Sequence, residues 1–137
     1  IGSAKLLERV LAGAVASGLY QKHLAGLRRR YARKARLMRE AIKRHFPAEV
    51  EWWEPAGGLY FWARLPRRLQ SGVSSKVFQA ALKNGVFYVP GVLCYANDPT
   101  RPKPNHEMRL SFGGATEANV SKGIARLGAV FHKFLRG

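Results

Sequence analysis

Hydrophobic positions fall into blocks whose period changes along the chain. From Tyr20 to Phe46 the apolar residues Leu24, Leu27, Tyr31, Ala35, Met38, Ile42 and Phe46 recur in steps of three or four. That spacing lays one stripe along a helix, closed by Pro47. Ahead of it, Ser3 can cap a first helix running to Ser17, with Gly18 as its stop. The period then drops to two. "VEWWEP" and "GLYFWARLP" predict strands over Val50–Trp53 and Gly58–Arg64, separated by Pro55, Gly57 and Gly58. That linker is too long for a two-residue turn, so their pairing stays open. Trp52, Trp53, Tyr60, Phe61 and Trp62 are expected in the sheet and core.

Helical spacing returns in "QSGVSSKVFQAALKNG", with Val73, Val77, Phe78, Ala81 and Leu82 apolar and Asn84–Gly85 as the stop. "VFYVPG" predicts a buried strand ended by Pro90–Gly91. Residues 96–106, "ANDPTRPKPNH", hold three prolines and read as an exposed loop. In "EMRLSF" Met108, Leu110 and Phe112 alternate with Glu107, Arg109 and Ser111, giving a strand with one apolar face. The final helix places Val120, Ile124, Leu127, Phe131 and Phe134 on one side. The order α-α-β-β-α-β-β-α predicts an α+β fold, a small sheet of about four strands with amphipathic helices packed on it. Residues 1–137 are expected to form a single domain, with 1–46 a helical lead-in and 47–137 the α+β body.

Net charge adds one question. The chain carries +16, and residues 1–46 hold 12 Lys or Arg against only Glu8 and Glu40. Such an excess attracts nucleic acid and other polyanions without specificity. The cations surround the long helix without interleaved aromatics, so they are expected to form a solvated face rather than a base-stacking surface. No run of about 18 apolar residues marks a membrane span. Cys94 is the only cysteine, which excludes a disulfide framework and a cysteine zinc cluster and fits a cytoplasmic location. It is expected to be a small buried thiol.

Local catalytic motifs are missing. His23, His45, His106 and His132 are scattered, with no HExxH spacing, and there is no G-x-S-x-G elbow or phosphate loop. The ordered stretches "EPAGGLYFWARLP", "NGVFYVPGVLCY" and "EMRLSFGGAT", followed by an amphipathic helix, resemble the C-terminal small domain of the class I/II, fold-type I pyridoxal-phosphate aminotransferases. "SGLYQKHLAGLRRRYARKARLMREAIKRHFP" is similar to that family's helix leading from the large domain into the small one. The branch most resembled holds 2-aminoadipate and kynurenine transaminases, together with the aminotransferase-like half of GntR-type transcription regulators.

The resemblance implies a role for Arg109, which stands where the family's arginine grips the α-carboxylate of the substrate. A planar guanidinium meets a carboxylate with two parallel charge-assisted hydrogen bonds, which suits the role. Gly57–Gly58 resemble the family's "GG" before the strand under the site, where a plain turn serves equally. Pro90–Gly91 resemble its "PG" at the cofactor entrance, while Val92, Cys94 and Tyr95 depart from the usual residues after it.

The family holds its cofactor lysine, the aspartate on the pyridinium nitrogen and the phosphate-binding groups in the large domain. Lys76, Lys83 and Lys122 lie in amphipathic helices, without the strand-to-turn setting such a lysine needs. The chain is therefore expected to be a fragment that binds no pyridoxal phosphate and is inactive alone. The full-length protein is expected to be a homodimeric aminotransferase acting between an amino acid and a 2-oxo acid. The alternatives are the effector domain of a GntR-type regulator and, behind it, a basic nucleic-acid-binding module.

Overall fold

The computed structural model describes residues 16–55 and 60–136. By its contacts the chain divides into two compact units, Ile1–Arg33 and Lys34–Gly137. The first unit contributes, among its described residues, the opening turns of helix α1, Ala16–His45. The expected helix from Ser3 falls outside the described residues up to position 15, and Gly57–Gly58 also fall outside them.

Gly18 does not stop a helix but lies inside α1. A helical glycine costs about 1 kcal/mol relative to alanine, which is too little to break a helix of 30 residues. The true stop is where the sequence placed it, since Phe46 closes the last turn on Ile42 and Pro47 follows. Arg28, Arg29, Arg30, Arg36, Lys43 and Arg44 are exposed on α1, as expected of a solvated face. Arg39 instead makes a two-pronged ion pair with Glu54, at 3.0 and 2.7 Å.

The second unit is α+β. Strands β1 (Glu51–Trp53), β2 (Tyr60–Arg64), β3 (Val89–Pro90) and β4 (Glu107–Ser111) form one antiparallel sheet in the order β1-β2-β4-β3. The pairing of the first two strands, open from sequence, is antiparallel with Trp53 opposite Trp62. Alternation sends Phe61, Ala63, Met108 and Leu110 to one face, where they join Ala35, Met38 and Ile42 of α1, and Phe46 just beyond it, in one buried cluster. Helix α2 (Lys76–Lys83) adds Val77, Phe78 and Ala81, and helix α3 (Glu117–Arg136) adds Val120, Ile124, Leu127, Val130 and Phe131.

Local chemistry sets the ends of these helices. The Ser75 hydroxyl caps α2 by accepting from the Phe78 N–H at 3.1 Å. Its other end is a Schellman turn: Gly85 N–H bonds the Leu82 carbonyl, Val86 N–H bonds the Ala81 carbonyl, and Gly85 takes φ 75°. Thr116 caps α3 through a bond from the Asn119 N–H.

The strand expected over "VFYVPG" is shorter than the sequence implies. Only Val89–Pro90 pair with β4, and Gly91–Cys94 form a 3-10 turn that the sequence pattern did not reveal. Tyr88 is buried, whereas Phe87 is 70% exposed. Proline has no N–H with which to extend the ladder, so pairing stops there. Val73 and Leu82, expected on the buried side of the third helix, are also exposed, because α2 starts only at Lys76 and turns Leu82 outward.

One close approach fixes α3 against the end of α1. A Cβ on Gly128 would stand 2.6 Å from the His45 carbonyl oxygen, and His132 Nε2 lies 3.1 Å from the same oxygen. Gly128→Ala is expected to lower stability by about 1–3 kcal/mol, because backbone must move to admit the methyl. Gly123→Ala, in the same helix with open space around it, is expected to raise stability by up to about 1 kcal/mol. Denaturant midpoints of the two variants compared with the parent check the pair.

Candidate functional site

The sheet face turned away from the helices carries the polar half of each strand. Directly opposed residues of antiparallel strands share a face, so the register writes this face as rows. Trp53, Trp62, Arg109 and Val89 form one row across all four strands. Glu51, Arg64 and Glu107 form the next, and Tyr60 pairs with Ser111 on the other side.

The Glu51–Arg64–Glu107 row is closed electrostatically. Arg64 Nε donates to Glu107 Oε2 at 2.8 Å, and its Nη1 reaches Glu51 at 3.5 Å. The Arg64 guanidinium also lies 5.0 Å from the centre of the Trp53 ring. Tyr95 Oη, from just beyond the 3-10 turn, donates to Glu107 Oε1. Glu107 is only 2% exposed, and its main chain is held as tightly as its carboxylate. The buried Ser71 hydroxyl donates to the Glu107 carbonyl at 2.6 Å, and a Cβ on Gly91 would meet the Glu107 backbone at 2.9 Å. Here a glycine is required by close approach, which gives Pro90–Gly91 a structural reason.

Burial opposes the charge on Glu107, but the bonds from Tyr95 and Arg64 outweigh it and hold the carboxyl below the usual range. The same bond, with burial and the carboxylate's charge, pushes the Tyr95 phenol up to about 12. A depressed carboxyl stabilises the fold above the ordinary glutamate pKa, and that contribution disappears as pH falls through the folded value. A raised phenol stabilises below about pH 10, and its contribution fades as pH rises towards 12. Glu107→Gln is expected to cost about 1–3 kcal/mol at pH 7. It should also flatten the acid limb of the stability profile, which denaturation at stepped pH measures directly.

Arg109 is left in contrasting surroundings. Its guanidinium lies 5.8 Å from the centre of the Tyr60 ring, and its Nε is buried without a hydrogen-bond partner. The carboxylate two residues away on the same face, Glu107, is taken by Arg64 and Tyr95. Among the described residues, no ion pair neutralises Arg109. A buried N–H left without an acceptor costs about 1–3 kcal/mol, so a site that supplies an oxygen recovers that energy on binding.

Other sequence candidates are dispersed. His132 sits against the α1 terminus, away from the strands, and among the described residues no group of histidine, cysteine and acidic side chains is arranged to hold a metal. Cys94 is exposed on the 3-10 turn rather than buried. Tyr60 and Trp62 were expected in the core with Phe61; alternation sends only Phe61 inward and sets the other two beside Arg109. The sequence alone does not single out Glu107. Its position two residues before Arg109 in an alternating strand was the available signal, but its partners come from distant segments.

The described strands carry no lysine. Lys76, Lys83 and Lys122 lie in α2 and α3, whose buried residues pack on the opposite face. The Arg109 face does not, by itself, provide the lysine that pyridoxal phosphate needs.

No family model matches the chain. An uncharacterized aminotransferase of Saccharolobus solfataricus is 35% identical over 115 residues, covering 84% of this chain and 27% of the relative. The structure of LysN, an alpha-aminoadipate aminotransferase from Thermus thermophilus complexed with N-(5'-phosphopyridoxyl)-L-leucine, is similar with a TM-score of 0.75. It shares 31% identity over 85% of this chain and 28% of that one. An HTH-type transcriptional regulator of Bacillus subtilis is 31% identical over 127 residues, 93% of this chain and 24% of the regulator. The chain thus spans about a quarter of the length of the curated relatives it matches. With this sheet order, this helical layer and these similarities, the chain is similar to the C-terminal small domain of the fold-type I pyridoxal-phosphate aminotransferases.

Proposed function

We propose that this chain is the substrate-orienting part of an aminotransferase, which exchanges an amino group between an amino acid and a 2-oxo acid, and that Arg109 grips the substrate's α-carboxylate. The observation that carries the reading is the buried, partnerless Nε of Arg109 beside a glutamate whose own charge is already met. The Nε and one Nη form the edge of the guanidinium that accepts a carboxylate side-on through two parallel bonds. β4 supplies rigidity, because Met108 and Leu110 anchor it in the core on the opposite face. Trp62 and Val89 flank the arginine in its row and Tyr60 lies against the guanidinium, and its Nε is out of contact with water.

In this reading pyridoxal phosphate belongs to the rest of the full-length protein, a homodimer, and this chain binds and orients the substrate. Held at its acid group, the substrate keeps its amine at one fixed position, the entropic part of catalysis.

The similarity to an HTH-type regulator supports a second reading, in which the same face senses an amino acid without turning it over. Spectroscopy of the full-length protein separates the two. An enzyme shows a bound-cofactor band that an amino acid consumes and a 2-oxo acid restores, with stoichiometric 2-oxo acid released in the first half. A regulator shows a band that shifts with amino acid but releases no 2-oxo acid, and it binds DNA in a sequence-dependent way. A full-length protein without any cofactor band would refute both.

A further inference from the structure

The Arg109 face holds more than a carboxylate grip. Beside the arginine, Trp62 stands directly across the strand pair, and the Tyr95 ring meets it edge-on, 6.2 Å between centres at 84°. Tyr95 is 41% exposed and Trp62 half-buried. Two accessible rings thus stand next to a half-buried arginine whose Nε is buried without a partner.

Tyr95 does not reach this position by chance of a loose loop. Its hydroxyl is bound by Glu107, itself fixed by Arg64 and by Ser71 at its carbonyl. Pro90–Gly91 press the 3-10 turn against the Glu107 backbone. The ring is therefore held in place before any ligand arrives, so little conformational entropy is lost when an apolar group packs on it.

Resting on the aminotransferase reading, we infer that Trp62 and Tyr95 form a side-chain wall that sets substrate specificity, favouring amino acids with aromatic or extended apolar side chains over small or acidic ones. Two features point this way. Aromatic rings offer large apolar area and favourable edge-to-face contacts to another ring. The nearest cation that a second carboxylate would seek, Arg64, is already committed to Glu107 and Glu51. An acidic side chain would lie beside the occupied Glu107 carboxylate and lose hydration without gaining a partner.

The test uses the full-length protein with its cofactor and follows the first half-reaction by absorbance. The substrates are L-phenylalanine, L-alanine and L-2-aminoadipate. The parent is expected to prefer phenylalanine. Tyr95→Ala and Trp62→Leu should each cut kcat/KM for phenylalanine about tenfold more than that for alanine, since a truncated pocket contact is worth about 1–3 kcal/mol. Tyr95→Phe keeps the ring and should retain most of the preference, which separates the wall from the hydroxyl's structural bond to Glu107. A parent that prefers 2-aminoadipate or alanine would overturn the inference. So would variants that lose all three substrates equally, or that keep the parent's selectivity. A parent that reacts with no amino acid would instead defeat the aminotransferase reading, and the wall with it. Trp62 supports the sheet, so Tyr95→Ala, at an exposed position, decides the matter if the tryptophan variant fails to fold.

Discussion

Replacing Arg109 with alanine in the full-length protein is expected to lower kcat/KM for amino acids by about 2–5 kcal/mol, roughly 30- to 5,000-fold, the cost of removing one partner from a desolvated charge pair. The expectation rests on burial and on the absence of competition. Arg109 Nε is out of contact with water and has no partner. The glutamate that could have neutralised the guanidinium is engaged by Arg64 at 2.8 Å and by Tyr95. An arginine already paired inside the fold would have to break that pair to bind, and its loss would register as instability rather than as poor catalysis. Arg109→Ala should therefore leave the unfolding transition near that of the parent. Arg109→Lys should recover part of the loss only, because an ammonium keeps the charge but not the planar two-point grip.

Phe131→Ala is expected to produce the largest loss of stability, about 3–5 kcal/mol, as for other fully buried aromatic-to-alanine changes. Phe131 is 0% exposed in α3. Its ring meets that of Phe46 edge-on, 4.9 Å between centres at 69°, so the change removes apolar contact, opens a cavity and forfeits an aromatic pair at the junction of α1 with α3. A lowered denaturant midpoint with an unchanged slope is the expected signature, since the native state keeps its compactness. A loss below about 1 kcal/mol would mean that the neighbouring helices collapse into the space, and that the close approach of Gly128 to His45 does not fix their distance.

The elements whose period could be counted were legible in the sequence. The stripe Ala35–Met38–Ile42–Phe46 is buried as its spacing implies, and so are Val120, Ile124, Leu127 and Phe131. The alternation in "EMRLSF" alone set Arg109 opposite Met108 and Leu110, and the sheet bears that out. What the sequence hid depends on partners far along the chain. Tyr60, Phe61 and Trp62 look alike as an apolar run, and only the register with β4 assigns the middle ring to the core and the outer two to the Arg109 face. The run "VFYV" looked like a buried strand, yet Phe87 points outward because pairing begins only at Val89. Local propensity makes Gly18 a stop, which a long helix overrides. Glu107 is inconspicuous in the sequence because a lone glutamate in a strand usually faces water. Its burial follows from Arg64, Tyr95 and Ser71, at separations of 43, 12 and 36 residues.

The grip itself is tested by chemistry on the substrate rather than on the fold. The measurement is the effect of Arg109→Ala on the rate constant of the amino half-reaction, taken for one accepted L-amino acid and for the amine left when its carboxylate is removed. If Arg109 holds that carboxylate, the variant should react with the amino acid at least about thirtyfold more slowly than the parent, and with the amine at nearly the parent's rate. Equal losses for both compounds would contradict it, since an arginine that never touches the acid group has no reason to tell them apart.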